Sequence, residues 1–103
     1  EVLRIYPVAF LAQLRITNVP MTIGGYELES GSYLAPCIYL CHRRPDLYPE
    51  PDRFNPNRFL ERQFSAYEYF PFGGSDRRCI GAAFALFEMK LVLATILSQH
   101  DLT

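Results

Sequence analysis

Residues 72–81 read Phe72-Gly73-Gly74-Ser75-Asp76-Arg77-Arg78-Cys79-Ile80-Gly81. Two adjacent glycines, a short polar turn and one cysteine stand just before an apolar run that continues to Leu97. Glycine permits backbone conformations with positive φ, so such a loop can fold back and aim N–H groups at a sulfur. From Ile80 onward the pattern predicts a helix. That puts Cys79 near a helix N-terminus, where unpaired N–H groups and the helix dipole favour negative charge. A thiolate, not a thiol, binds metal, so the site must lower the cysteine pKa below its free value of about 8.5. A lone thiolate held this way suits one soft metal centre. A buried structural cysteine after an ordinary turn is the alternative.

The stretch resembles the haem-ligand signature of the cytochrome P450 family, the haem-thiolate monooxygenases. That signature runs Phe, a small residue, any, Gly, any, Arg, any, Cys, an apolar residue, then Gly. Phe72, Gly73, Arg77, Cys79, Ile80 and Gly81 match in order, and Ser75 stands where the family usually has Gly. If that position needs positive φ, a serine there carries some strain. The resemblance implies that Cys79 is the axial ligand of haem b, donating electron density that favours O–O cleavage. Arg77 would pair with a haem propionate, Phe72 would pack on the thiolate side of the porphyrin, and Gly81 would complete the cofactor-binding set.

Two further segments point the same way. The chain opens Glu1-Val2-Leu3-Arg4-Ile5-Tyr6-Pro7; Glu and Arg three apart share a helix face, and Pro7 marks where the helix stops. This resembles the family's Glu-x-x-Arg motif. Phe54-Asn55-Pro56-Asn57-Arg58-Phe59 resembles its Phe-x-Pro-Glu-Arg-Phe segment, with Asn57 in place of Glu. The nearby Pro51-Asp52-Arg53-Phe54 echoes that pattern, but spacing favours Arg58 over Arg53. By resemblance, Glu1, Arg4 and Arg58 form a buried charge network behind the haem. Val8, Ala9 and Phe10 would contact substrate, with ordinary strand packing as the alternative. Arg15 would bind the second propionate. His42 is a weaker candidate for the same role, and a surface position is the default for it.

At 103 residues, half of them apolar, the chain can bury one modest core and is not disordered by composition. A net charge of −1 makes no electrostatic case for nucleic acid. Three cysteines do not form a disulfide framework. Cys37 and Cys41 could share a face of a short helix beside His42. A zinc site there lacks a clear fourth ligand, so structural cysteines are the better reading. The run from Ile80 to Leu97 could suggest a membrane span. Glu88 and Lys90 near its centre would each cost about 2.5–3.5 kcal/mol in a bilayer, which favours a buried core helix. Phe84, Phe87, Leu91 and Ala94 form its core stripe.

Between the motifs, Val8 to Thr17 predicts a strand. Met21-Thr22-Ile23, Gly24-Gly25 and Tyr26-Glu27-Leu28 predict a tight hairpin. Ser32 to Ala35 predicts a further strand, and Ile38 to His42 a short helix. Pro45 to Phe72 lacks a sustained period and reads as an ordered meander.

The expected fold is mainly α with a small β-sheet (α+β). Residues 1–103 would be a partial single domain, the C-terminal haem-binding portion of a larger protein. The intact protein would take electrons from a reductase or ferredoxin, activate O₂ and oxygenate a small apolar substrate, without nucleic acid. Arg78 and Lys90 would lie on the side where redox partners dock. A haem-thiolate isomerase or peroxygenase, or a non-catalytic haem-binding relic, carries the same loop. A cytoplasmic location is favoured, with membrane attachment left open. The segment by itself is expected to be inactive, because the resemblance places the proton-delivery residues upstream.

Overall fold

The computed structural model describes residues 1–101. Its first helix, α1 (Val2–Ile5), is one turn long and ends before Pro7, as a ring without an N–H requires. The chain then runs extended. Leu11 bridges to Cys37, the Tyr39 N–H donates to the Phe10 carbonyl (3.2 Å), and β1 (Arg15–Ile16) follows. The strand expected over Val8 to Thr17 is therefore paired only at Leu11 and over two residues. Outside those ladder positions, single backbone bonds join Ala12 to Pro36 (2.8 Å) and Thr17 to Ser32 (3.0 Å).

Strands β2 (Met21–Ile23) and β3 (Tyr26–Leu28) form the expected hairpin, in the register Met21↔Leu28, Thr22↔Glu27, Ile23↔Tyr26. Gly24 and Gly25 have φ of 59° and 84°, the pair of positive angles a two-residue turn needs to match strand twist. β4 (Tyr33–Leu34) returns antiparallel to β1. Buried Thr17 locks this return: its hydroxyl donates to the Glu29 carbonyl (2.6 Å) and accepts the Ser32 N–H (2.9 Å).

α2 (Ile38–Cys41) and α3 (Arg58–Glu61) interrupt a meander held by turns. A 3₁₀ turn, Ser75–Arg77, precedes the long helix α4 (Ala82–Gln99). The helix starts later than the apolar pattern suggests, because Ile80 and Gly81 are spent on a turn. The mixture of helices with small antiparallel sheets agrees with the expected class.

The core is small and polar at its centre. Ile5, Ile38, Tyr48 and Ala82 are buried, together with Arg4, Thr17, His42 and Arg58. The expectation of a buried α4 is not met within this chain. Only Ala82 of that helix is buried, while Phe84 and Phe87 are 69% and 66% exposed and Leu91 and Ala94 are open as well. Between Ala82 and Leu97 the helix is apolar but for Glu88, Lys90 and Thr95, and no other described element packs along it. His42 corrects a second expectation: it is fully buried, not a surface residue.

Candidate functional site

Cys79 stands at the end of a loop whose backbone is fixed at three points. The Gly73 N–H donates to the Phe70 carbonyl (2.9 Å), the Arg78 N–H to Ser75 (3.1 Å) and the Cys79 N–H to Phe72 (2.9 Å). Gly73 has φ of 70°, a left-handed conformation that suits glycine. Ser75 has φ of 54°, so the family-type glycine position does require the left-handed region, and serine occupies it. The Cys79 thiol is exposed, and its carbonyl accepts the Ala82 N–H at the start of α4 (3.3 Å). A Cβ added at Gly81 would lie 3.8 Å from Cys79 Sγ. The glycine leaves the space beside the sulfur clear.

Glu1 and Arg4, from the start of α1, meet Arg58 of α3. Arg4 grips both Glu1 carboxylate oxygens, through Nε (2.8 Å) and Nη2 (2.7 Å), and Arg58 Nε reaches Glu1 Oε1 at 3.2 Å. The Asn55 N–H donates to the same oxygen (3.0 Å). The side chains of Glu1 and Arg4 are 1% and 0% exposed. Burial alone would raise the Glu1 pKa. The Arg4 and Asn55 hydrogen bonds and the charges of Arg4 and Arg58 outweigh it and hold the carboxyl below its usual range. The remaining donors are matched to carbonyls: Arg4 Nη1 to His42 (2.7 Å) and Arg58 Nη1 to Pro49 (3.1 Å). Arg53 contributes its carbonyl to both guanidiniums, while its side chain pairs with Glu50 at the surface.

A cavity of about 460 Å³ opens beside the cysteine loop. Its walls are largely apolar, including Ala12, Pro36 and Phe70, and both Arg15 and Arg77 line it with the backbone of Gly73 to Ser75. Among the described residues neither arginine has a carboxylate partner. Cys79 is not in the wall itself. Phe72 lies on a second cavity of about 670 Å³ together with Arg78 and Leu86. Val8, Ala9 and Phe10 are exposed and line neither cavity; the Phe10 ring meets Tyr39 edge-on, with centroids 5.6 Å apart.

The sequence reading offered His42 only as a weaker propionate candidate and missed Tyr48 and Arg43; His42 is buried and does not line the cavity that holds Arg15 and Arg77. His42 lies one turn after Ile38 on a two-residue-wide buried face, and that spacing was a usable signal. Its ring stacks on Tyr69 (5.3 Å) and accepts the Phe70 N–H through Nε2 (3.0 Å), while Nδ1 is buried without a partner. Burial, with the charges of Arg4 and Arg43, pushes the His42 pKa down to about 4. The Tyr48 hydroxyl donates to the Glu68 carbonyl (2.7 Å), and burial raises its pKa. Arg43 lies over the Tyr39 ring (3.8 Å) and donates to the Ile5 carbonyl (2.7 Å). Cys37 and Cys41 face different backbone carbonyls, those of Phe10 and of Tyr67, and His42 points to Phe70 instead.

Comparison with known proteins places this arrangement. The family model described as Cytochrome P450 matches residues 1–103. "Putative cytochrome P450 135B1" of Mycobacterium tuberculosis is 41% identical over 103 residues, covering 100% of this chain and 22% of that protein. "Cytochrome P450 3A29" of Sus scrofa is 39% identical over 104 residues, covering 98% of this chain and 20% of that one. Among solved structures, a retinoic acid-bound cyanobacterial CYP120A1 superposes with a TM-score of 0.81 at 34% identity, over 87% of this chain and 22% of that one. A CYP152N1 solved with myristic acid gives 0.83 at 26% identity, over 92% of this chain and 24% of that one. The chain thus spans about a fifth of the length of the curated relatives it matches.

Proposed function

Because this chain belongs to the cytochrome P450 family, we propose that residues 1–103 are the C-terminal haem-binding portion of an O₂-dependent monooxygenase, in which the Cys79 thiolate would hold the iron. One observation carries the reading: an exposed cysteine is presented by a backbone-locked loop beside an apolar cavity lined by two arginines that have no carboxylate partner among the described residues. The donor set fits the group. A flat, largely apolar macrocycle with two carboxylates wants an apolar slot, one soft donor and two cationic forks. Bound there, haem b supplies thiolate-ligated iron, which favours O–O cleavage and oxygen insertion.

The protein's part is positioning. Arg77 and Arg15, which line one cavity, would hold the propionates and so orient the cofactor. Gly81 leaves the approach to the sulfur open, and Phe72 would supply an apolar contact to the cofactor. Glu1, Arg4 and Arg58 hold the meander against α1, so that the cysteine loop has a rigid base. Val8, Ala9 and Phe10 offer exposed apolar contacts to a substrate, and the substrate class is small and apolar. The retinoic acid and myristic acid in the titles of two structural neighbours support that class. Exposed Arg78 and Lys90 suit an acidic patch on an electron-donating reductase or ferredoxin.

The test is turnover of the full-length protein with a reductase system, a fatty-acid substrate and isotopically labelled dioxygen. The proposal expects one labelled oxygen atom in each product molecule. Product formed only with added peroxide, or product without label, would contradict monooxygenase chemistry.

A further inference from the structure

We propose that His42 is a positioning residue for the cysteine loop, its Nε2 holding the Phe70 N–H and so coupling the buried Glu1–Arg4–Arg58 cluster to the backbone that presents Cys79. The inference rests on the reading of Cys79 as the iron ligand, and deepens it. A continuous path of short contacts supports it. Arg4 Nη1 donates to the His42 carbonyl at 2.7 Å, and His42 Nε2 accepts the Phe70 N–H at 3.0 Å. The Phe70 carbonyl takes the Gly73 N–H at 2.9 Å, and the neighbouring Phe72 carbonyl takes the Cys79 N–H at 2.9 Å. His42 is the residue at which the charge cluster and the loop meet, its backbone carbonyl taking Arg4 and its ring taking the loop, and it is 0% exposed.

The surroundings fix its orientation. Tyr69 stacks on the ring at 5.3 Å, while Tyr48 and Phe70 meet it edge-on at 6.2 and 5.4 Å. For Nε2 to accept, the ring must carry its proton on Nδ1. That nitrogen is buried with no acceptor. The ring therefore tolerates one unsatisfied donor in the geometry that satisfies the loop. A residue kept only for packing would not need that arrangement, because a phenyl ring fills the same space without a stranded polar atom.

Two substitutions in the full-length protein separate packing from hydrogen bonding. His42→Phe keeps a ring and removes the acceptor; His42→Gln removes the ring and offers an acceptor oxygen at a similar reach. The readout is the fraction of bound haem whose reduced carbon monoxide complex shows the red-shifted thiolate Soret band. His42→Phe should lower that fraction several-fold, and His42→Gln should restore most of it. Equal behaviour of the two variants, or retention in His42→Phe with loss in His42→Gln, would overturn the inference. A wild-type protein without the thiolate band would instead overturn the ligand reading itself. Should His42→Phe not fold, nitrogen NMR of the wild type decides: an Nδ1-protonated, Nε2-bare ring is expected, and an Nε2–H tautomer refutes the proposal.

Discussion

Ser75 holds a φ of 54° in the tightest part of the cysteine loop, a conformation that costs a non-glycine residue about 1–3 kcal/mol. Ser75→Gly should relieve part of that strain, offset by the extra freedom glycine gives the unfolded chain. The expected gain is about 1 kcal/mol, visible as slower haem loss to an acceptor protein; unchanged or faster loss would refute the strain argument. Arg58 makes the opposite case. Its guanidinium neutralises a buried carboxylate shared with Arg4, so Arg58→Ala strands charge and should cost about 3–5 kcal/mol. Haem content of the purified full-length variant should fall sharply, and full occupancy would remove the network from the account. Both positions could be read from the sequence, since the motif spacing singled out Ser75 and Arg58 by their neighbours. His42 could not be read so easily. One histidine followed by two arginines and a proline looks like solvated surface, and only its spacing from Ile38 hinted at burial.

Short elements were legible where turn chemistry dictates them. Gly24-Gly25 can serve one hairpin only, and its register follows from the flanking pattern. The strand after Pro7 was over-read, because β-favouring residues mark an extended segment whether or not a neighbour exists to pair with it. The start of α4 was misplaced by the apolar run, since Ile80 is fully exposed in a turn although it looks helical. At α2, burial of His42 has a pH consequence. The histidine pKa is pushed from an ordinary 6.5 down to about 4, by burial and by the charges of Arg4 on α1 and neighbouring Arg43, with Tyr48 and Tyr69 as the other titratable contacts. The unfolded chain therefore takes up a proton near pH 6.5 that the folded chain refuses until about pH 4. This contribution to stability is fully present above 6.5 and is lost as pH falls from 6.5 toward 4. The spread is on the order of 3 kcal/mol. Thermal unfolding across that window should slope less steeply with pH in His42→Gln than in wild type, and parallel slopes would contradict the assignment.

The molecule as a whole is extended, with a radius of gyration of 17.0 Å and dimensions of 56 × 30 × 21 Å. A self-contained domain of this length would have a radius of about 13 Å. The difference lies in α4 and in the open apolar surface around it, which single residues such as Phe84 and Phe87 leave uncovered. Residues 1–103 expressed alone should therefore bind a hydrophobic dye strongly and elute above monomer size. Phe87→Ala should leave that isolated segment no less stable, yet cost about 3–5 kcal/mol in the full-length protein if the surrounding chain buries the ring. Equal effects in both contexts would mean that α4 remains open in the intact molecule. The central claim, that Cys79 gives its thiolate to haem iron, is tested most directly by the reduced carbon monoxide difference spectrum of the full-length protein, with and without Cys79→Ser. The account predicts a strongly red-shifted Soret band in the wild type that vanishes in the variant. A folded, haem-containing wild type without that band, or a Cys79→Ser protein that keeps it, would contradict the account.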